Sequence, residues 1–277
     1  MCRLYAMRAN EPTRVECSLV HAQNALMRQS AGDAQGLVHG HGWGVADFKN
    51  GAPFVERQTW AAFHGEHFSK AAARIYGHTA IAHVRRATVG DQTIENTHPF
   101  RYGKWIFAHN GTIPEFLKVR DYMIAETDPL LRNAIHGTTD SEHLFFYLLS
   151  LHLRHPAMAL ADVVIQGVRR VADWSHAVAP KQKPGLNVVL TDGQWLVGTR
   201  LNRPLWHLER HGLHFCEICG QSHVHHKADA NYRMVEFASE PLSNENWHEV
   251  GEGVAYSVGP DLALSFMPLR EPVGPPV

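Results

Sequence analysis

Three observations predict an α+β fold for this chain. Short alternating or β-branched runs, bounded by Gly, Asn-Gly or Asp-Gly, recur from the first residues to about residue 258. Two stretches, around Leu144 and from Ala157, carry apolar residues at helical spacing. Strands and helices come in runs, without a regular βαβ alternation. With 277 residues, the chain buries about three-quarters of its unfolded surface and needs no disulfide or metal to fold. No repeat, low-complexity block or long linker divides it, so one domain is expected over 2–265. The Pro-rich 266–277 reads as a loose tail.

The elements follow in order. Arg3 to Met7 alternates and reads as a strand. Cys17 to Gln29 has a broad apolar face and reads as a helix. Gly40 to Gly44 must be a tight loop or strand entry. It leads into a strand over Val45 to Phe48, a hairpin turn at Asn50-Gly51 and a short strand near Phe54-Val55. Ser69 to Tyr76 reads as a helix capped by Ser69. Thr79 to Arg85 and Trp105 to Ala108 read as strands, with Asn110-Gly111 as the turn after the second. A helix is expected after Pro114, another over the run from Leu144 capped by Thr139 or Ser141, and a third from Ala157 to Trp174. Leu186 to Thr191 and Trp195 to Thr199 form a hairpin around Asp192-Gly193. Arg233 to Ala238 and Val254 to Val258 complete the strands.

Hydrophobic residues make up 44% and charged residues 19%, which excludes disorder. The 26 basic and 27 acidic side chains leave a formal charge of -1, so no basic surplus points to nucleic acid or a membrane surface. The apolar run Leu144 to Leu153 is interrupted by Ser150 and His152 and is too short to span a bilayer. The opening M-C-R-L-Y-A-M lacks the apolar core of a signal peptide. A cytoplasmic location is expected.

Cys2 is the first chemical clue. Once Met1 is removed, one residue carries both a thiol and an α-amine. Their reference pKa values, about 8.5 and about 7.7–8.0, are close enough for the amine to take the thiol proton near neutral pH. That is an N-terminal nucleophile; the bland alternative is an arbitrary second residue. Acyl transfer also needs donors at the developing oxyanion. The Asn110 amide and the Gly111 N–H offer two, or else form a simple turn. Arg85 or Arg86 can bind a carboxylate through a guanidinium fork, or make a surface ion pair. Asp140 can hold an α-ammonium while also favouring a helix N-terminus.

Taken in order, six motifs resemble the class II glutamine amidotransferases, the Cys branch of the N-terminal-nucleophile hydrolases. They are M-C-R-L, H-G-W-G-V-A at His41–Ala46, H-V-R-R-A-T at His83–Thr88, N-T-H-P-F at Asn96–Phe100, H-N-G-T-I at His109–Ile113 and T-D-S-E at Thr139–Glu142. A-S-E-P-L at Ala238–Leu242 resembles the small stand-alone, YafJ-like members. The resemblance implies a four-layer αββα sandwich of two mostly antiparallel sheets. It implies Cys2 as nucleophile, Asn110 and Gly111 as the oxyanion pair, Arg85 for the α-carboxylate and Asp140 for the α-ammonium. Gly42, Trp43 and Gly44 match a structural glycine-rich strand, and Thr88 and His98 line the pocket. Members often carry Asp where this chain has His41. The substrate class implied is glutamine or a γ-glutamyl amide, such as a γ-glutamyl thiol metabolite, with no cofactor needed for catalysis. Any released ammonia would go to a separate enzyme. A non-catalytic binding module that keeps the fold is the alternative, and retention of Met1 would mark it.

A second cluster, Cys216 and Cys219 followed by His223, His225 and His226, is open to two readings. Two thiolates three residues apart with imidazoles nearby suit a structural, tetrahedral Zn²⁺. A reduced loop that happens to be rich in Cys and His is the other. Metal analysis of protein purified without a metal column separates them: about one zinc per chain supports the site, and metal-free protein removes it.

Overall fold

The structure is a computed structural model. It describes residues 2–212 and 231–270, with Cys216, Ile218, Gly220 and Val224 between them. Two antiparallel sheets pack face to face between layers of helix, as the resemblance implied.

The first sheet contains β1 (Arg3–Arg14), β2 (Trp43–Lys49), β3 (Ala52–Gln58), β4 (Tyr76–Val84), β9 (Trp206–His211), β10 (Arg233–Ala238) and β11 (His248–Glu249). Its order is β11-β9-β10-β1-β4-β2-β3, so β1 is central. The second sheet contains β5 (Phe100–Tyr102), β6 (Trp105–Thr112), β7 (Gly185–Thr191), β8 (Leu196–Arg200), β12 (Val254–Val258) and β13 (Leu264–Pro268), in the order β13-β12-β8-β7-β6-β5. The helices are α1 (Leu26–Ala31), α2 (His67–Ala73), α3 (Phe116–Glu126), α4 (Pro129–Arg132), α5 (Asp140–Arg154) and α6 (Leu160–Val178), with one π turn at Cys17–His21.

Strand alternation builds the layers. Leu4 and Ala6 of β1 face inward with Ala46, Ile81, Ala108, Val189 and Tyr256 to form the core between the sheets. Tyr5 and Met7 face outward onto Leu19, Leu26, Phe68 and Ala72. On the second sheet, Phe107, Leu186, Val188 and Leu190 meet Phe116, Met123, Leu144, Phe145 and Val168. The stripe Val163, Val164, Gly167, Val168 and Val171 is the buried face of α6, the spacing of an amphipathic helix.

Several expected elements need correction. The helix expected over Cys17–Gln29 is broken between the π turn and α1. There the Asn24 amide donates to Leu242 O and its side chain to Pro241 O, tertiary bonds that replace the helical ladder. The second predicted helix starts at His67 with no side-chain cap; Ser69 Oγ donates instead to Met27 Sδ. Asn110-Gly111 is not a turn. Both residues lie inside β6, opposite Asn187 and Leu186 of β7, and the chain reverses only at Glu115, whose φ is 51°. The segment expected as a loose tail pairs in β13 as far as Pro268, and Leu269 is buried. Strands β5, β9, β11 and β13 and the short helix α4 had no clear sequence signal. Thr139 rather than Ser141 caps α5, accepting from the Glu142 amide. At the hairpin after β2, Asn50 and Gly51 adopt φ of 52° and 78°, the left-handed pair that a two-residue loop requires.

The Gly-Trp-Gly run has a steric cause. A Cβ on Gly44 would lie 2.2 Å from His98 O, so β2 can pack against the 98–99 segment only without a side chain there. Gly44→Ala is expected to cost about 1–3 kcal/mol through overpacking. A denaturation midpoint equal to that of the parent protein would show that the segment moves aside freely.

Candidate active site

The site gathers where β1 begins and β6 ends. Cys2 directly precedes β1 and is 8% exposed. Its Sγ accepts the Arg86 amide at 3.3 Å, and the thiol hydrogen can reach Arg86 O at 3.5 Å. Burial pushes the thiol pKa up, while the Arg86 amide and the nearby Arg85 charge pull it back. Arg85 in turn feels Cys2, Asp140 and Asp91, so these groups share one electrostatic neighbourhood.

Arg85 leaves the end of β4 and is 2% exposed. Its Nη1 donates to Asp91 O at 3.0 Å, and Nη2 donates to Val89 O at 3.0 Å and Gly90 O at 3.1 Å. These bonds wrap the 89–91 loop around the guanidinium, which has five N–H donors in all. Asp140 opens α5. Its Oδ2 accepts the Ile113 amide at 2.8 Å and its Oδ1 the Ser141 amide at 2.9 Å. The first of these bonds ties the start of α5 to the segment just beyond β6.

Asn110 and Gly111 sit side by side on β6. The Asn110 side chain points between the sheets, because its neighbour two residues earlier, Ala108, belongs to the intersheet core. Its Nδ2 lies 3.0 Å from Ser239 Oγ, and its Oδ1 is buried without a partner. Leu186, opposite Gly111, turns its own amide to Leu201 O. The Gly111–Leu186 pair is therefore the non-hydrogen-bonded kind, and the Gly111 N–H points away from β7. On that side β5 reaches only as far as Phe107. A Cβ on Gly111 would lie 1.9 Å from Gly185 O, so no other residue fits.

Thr88 is exposed, with its hydroxyl 2.9 Å from that of Thr112. His98 is buried and stacks on His83 with ring centroids 4.2 Å apart. It therefore lies beneath the site and not on its open surface. His41, where relatives of the resembling family often have Asp, accepts the Ala87 amide on Nδ1 at 2.9 Å. A carboxylate oxygen can accept there equally well. Of the second cysteine cluster, Cys216 is described and is a buried free thiol; Cys219, His223, His225 and His226 lie outside the described residues. Among the described residues, no group of three or more His, Cys, Asp or Glu side chains is placed to hold a metal ion.

Sequence reading missed a buried clamp behind Cys2. Arg3 Nη1 donates to Cys2 O at 3.1 Å. Its Nη2 bridges Asp33 Oδ2 at 2.5 Å and Glu240 Oε1 at 2.6 Å. His39 Nε2 lies 3.0 Å from the same Asp33 oxygen. Asp33 Oδ1 also accepts the Gln35 and Leu37 amides. Only the A-S-E-P-L motif hinted at Glu240, and nothing in it names Arg3 as the partner. A surface cleft of about 820 Å³ lies elsewhere, lined by Tyr147, Arg154, Asp162 and Arg170 of α5 and α6. It is remote from these groups in the fold, and size alone does not mark the chemistry.

A central strand that starts beside a buried cysteine, in a sandwich of two antiparallel sheets between helices, defines an N-terminal-nucleophile fold. The family model for class-II glutamine amidotransferases matches residues 1–264, and the chain belongs to that family. It is similar to the probable glutamine amidotransferase DUG3 of Saccharomyces cerevisiae, with 26% identity covering 88% of this chain and 77% of that protein. The putative glutamine amidotransferase YafJ of Escherichia coli is 26% identical, covering 91% of this chain and 95% of its own. A solved class-II glutamine aminotransferase domain protein from Silicibacter pomeroyi superposes with a TM-score of 0.63 at 19% identity, over 96% of this chain and 99% of that one.

Three buried imidazoles set an acid limit for this region. Burial lowers the pKa of His39 to about 4 and that of His83 to about 3, and it holds His98 well below the usual value. An unfolded imidazole titrates near 6.5, so the unfolded chain binds the extra protons below that pH. The stability due to these groups is complete above about pH 6.5 and declines as the pH falls towards the folded values. Melting temperatures taken from pH 7.5 to pH 5 should fall, and less steeply in His83→Leu. An unchanged slope in that variant would exclude His83 as a source.

Proposed function

We propose that the protein is a stand-alone hydrolase of the γ-amide of glutamine or of a γ-glutamyl amide, acting through a thioester on Cys2 after removal of Met1. One observation carries the reading: the only thiol at the start of the central strand lies under the Arg86 amide, in the field of Arg85 and Asp140. Family membership supports glutamine chemistry for such a thiol.

In this reading the α-amine of Cys2 takes the thiol proton, and the thiolate adds to the γ-carbonyl carbon. The carbonyl oxygen becomes an oxyanion and is met by the Asn110 side-chain amide and the outward Gly111 N–H. The C–N bond breaks as the α-ammonium returns its proton to the departing ammonia or amine. Water then adds to the thioester, the C–S bond breaks, and glutamate and the thiol are released. Arg85 receives the α-carboxylate on the N–H donors not used by the 89–91 loop. Asp140, already oriented by the Ile113 and Ser141 amides, receives the α-ammonium. Thr88 lines the entrance and His98 supports the floor.

Ammonia, where it is the product, goes to a separate enzyme in this reading. The expected setting is cytoplasmic; among the described residues, no helix is long and apolar enough to cross a membrane. Zinc at Cys216, Cys219 and His223 would be structural, because no step above uses a metal.

Intact-mass measurement after incubation with a glutamine-mimicking diazo ketone tests the proposal. Des-Met protein carrying one adduct, absent in Cys2→Ala, is expected, together with loss of turnover in that variant. Turnover that survives Cys2→Ala would sink the mechanism. Retained Met1 with no adduct would favour the non-catalytic module.

A further inference from the structure

Ser239 directly follows β10 and meets both halves of the site. Its amide donates to Leu4 O at 3.0 Å, its Oγ accepts the Leu4 amide at 2.9 Å, and that Oγ lies 3.0 Å from Asn110 Nδ2. One side chain thus joins the nucleophile strand of the first sheet to the oxyanion strand of the second.

The hydrogen inventory decides how it does so. A serine hydroxyl has one hydrogen and two acceptor sites. With Asn110 Nδ2 turned towards it, Ser239 accepts twice, and its own hydrogen has no acceptor among the described residues. Asn110 Oδ1 is then buried with no partner, which is costly for a polar atom. One of the two Nδ2 hydrogens is also spent on a serine. A half-turn of the carboxamide exchanges its oxygen and nitrogen with no other movement. The hydroxyl then donates to Oδ1 while still accepting the Leu4 amide, and Nδ2 takes the place that Oδ1 held. In that arrangement the hydrogens left over are the two on Nδ2, which await an acceptor supplied by substrate.

We propose that Ser239 is a positioning residue for the oxyanion hole: its hydroxyl, held by the Leu4 amide, donates to Asn110 Oδ1 and keeps Nδ2 turned towards the substrate carbonyl oxygen. The assignment rests on the hydrolase reading above. It gives the A-S-E-P-L motif two tasks, with Ser239 orienting Asn110 and Glu240 holding Arg3 behind Cys2.

The test is steady-state release of glutamate from glutamine and from a γ-glutamyl anilide by the full, des-Met chain. Ser239→Ala should lower kcat about tenfold or more with KM within about twofold, because the bond acts on the transition state. Ser239→Thr, which keeps the hydroxyl, should retain at least about a third of kcat. In an Asn110→Ala background, Ser239→Ala should change kcat less than about twofold, since the group it orients is gone. Equal losses in both backgrounds would mean that Ser239 acts only through the β1 scaffold, and would overturn the assignment. So would an active parent enzyme whose Ser239→Ala variant keeps kcat. If the alanine variant does not fold, Ser239→Cys, similar in size but a weak donor, takes its place in the same comparison. A parent enzyme inactive on both substrates would overturn the hydrolase reading itself, and this assignment with it.

Discussion

β1 is paired on both edges within its first three residues, with Arg3 opposite Val84 of β4 and Tyr5 opposite Ala238 of β10. A chain end is ordinarily a place of fraying. Here the two ladders leave residue 2 almost no freedom, and a thiol on it becomes a fixed point. The site's other parts are arranged around that point. Arg86 lies two residues past the end of β4 and contacts Cys2 just before β1, and Ser239 directly follows β10 and contacts Leu4 of β1. Two neighbouring strands thus lead to groups that surround Cys2.

Electrostatics finishes what pairing begins. The Arg3 guanidinium is buried and carries two carboxylates, Asp33 and Glu240. Burying charge is expensive unless every group is paired and hydrogen-bonded. Asp33 meets that condition through Arg3, His39 and two loop amides, and the segment from Asp33 to His39 is thereby tied to β1. This cluster places net negative charge behind Cys2, while Arg85 places positive charge on the side shared with Asp140. The same arginine organises the 89–91 loop through three carbonyls. One cation therefore acts both as a loop staple and as part of the field at the thiol.

The two sheets approach each other across small residues. Ala6, Ala46 and Ala108 lie in the intersheet core, and Gly44 and Gly111 sit where a Cβ would strike a backbone oxygen. Close approach is what lets Asn110 on one sheet reach Ser239 on the other. It also buries ring nitrogens such as those of His83 and His98. Such atoms tie the folded state to neutral pH, since neither ring can be charged there without a partner.

Local sequence determined much of this protein by itself. Alternation placed the starts of β1 and β6 and most of β2, β4, β7, β10 and β12, and a Thr before an acidic first turn marked the start of α5, because these signals act between residues close in the chain. The ordered motifs pointed to Cys2, Arg85, Asn110, Gly111 and Asp140 as one set. Tertiary structure decided the rest. Asn110-Gly111 has turn chemistry, yet β7 supplies a continuous partner and holds it as strand. The stretch after Cys17 has helical spacing, yet bonds from Asn24 to residues more than two hundred positions away break it. Short edge strands such as β5 and β11 exist only because a neighbour offers its edge. Asp33 and His39 escaped notice, and the roles of Ser239 and Glu240 stayed unread, for the same reason. Their importance lies in what they touch across the fold, and neither spacing nor composition encodes a contact between residues 3 and 240.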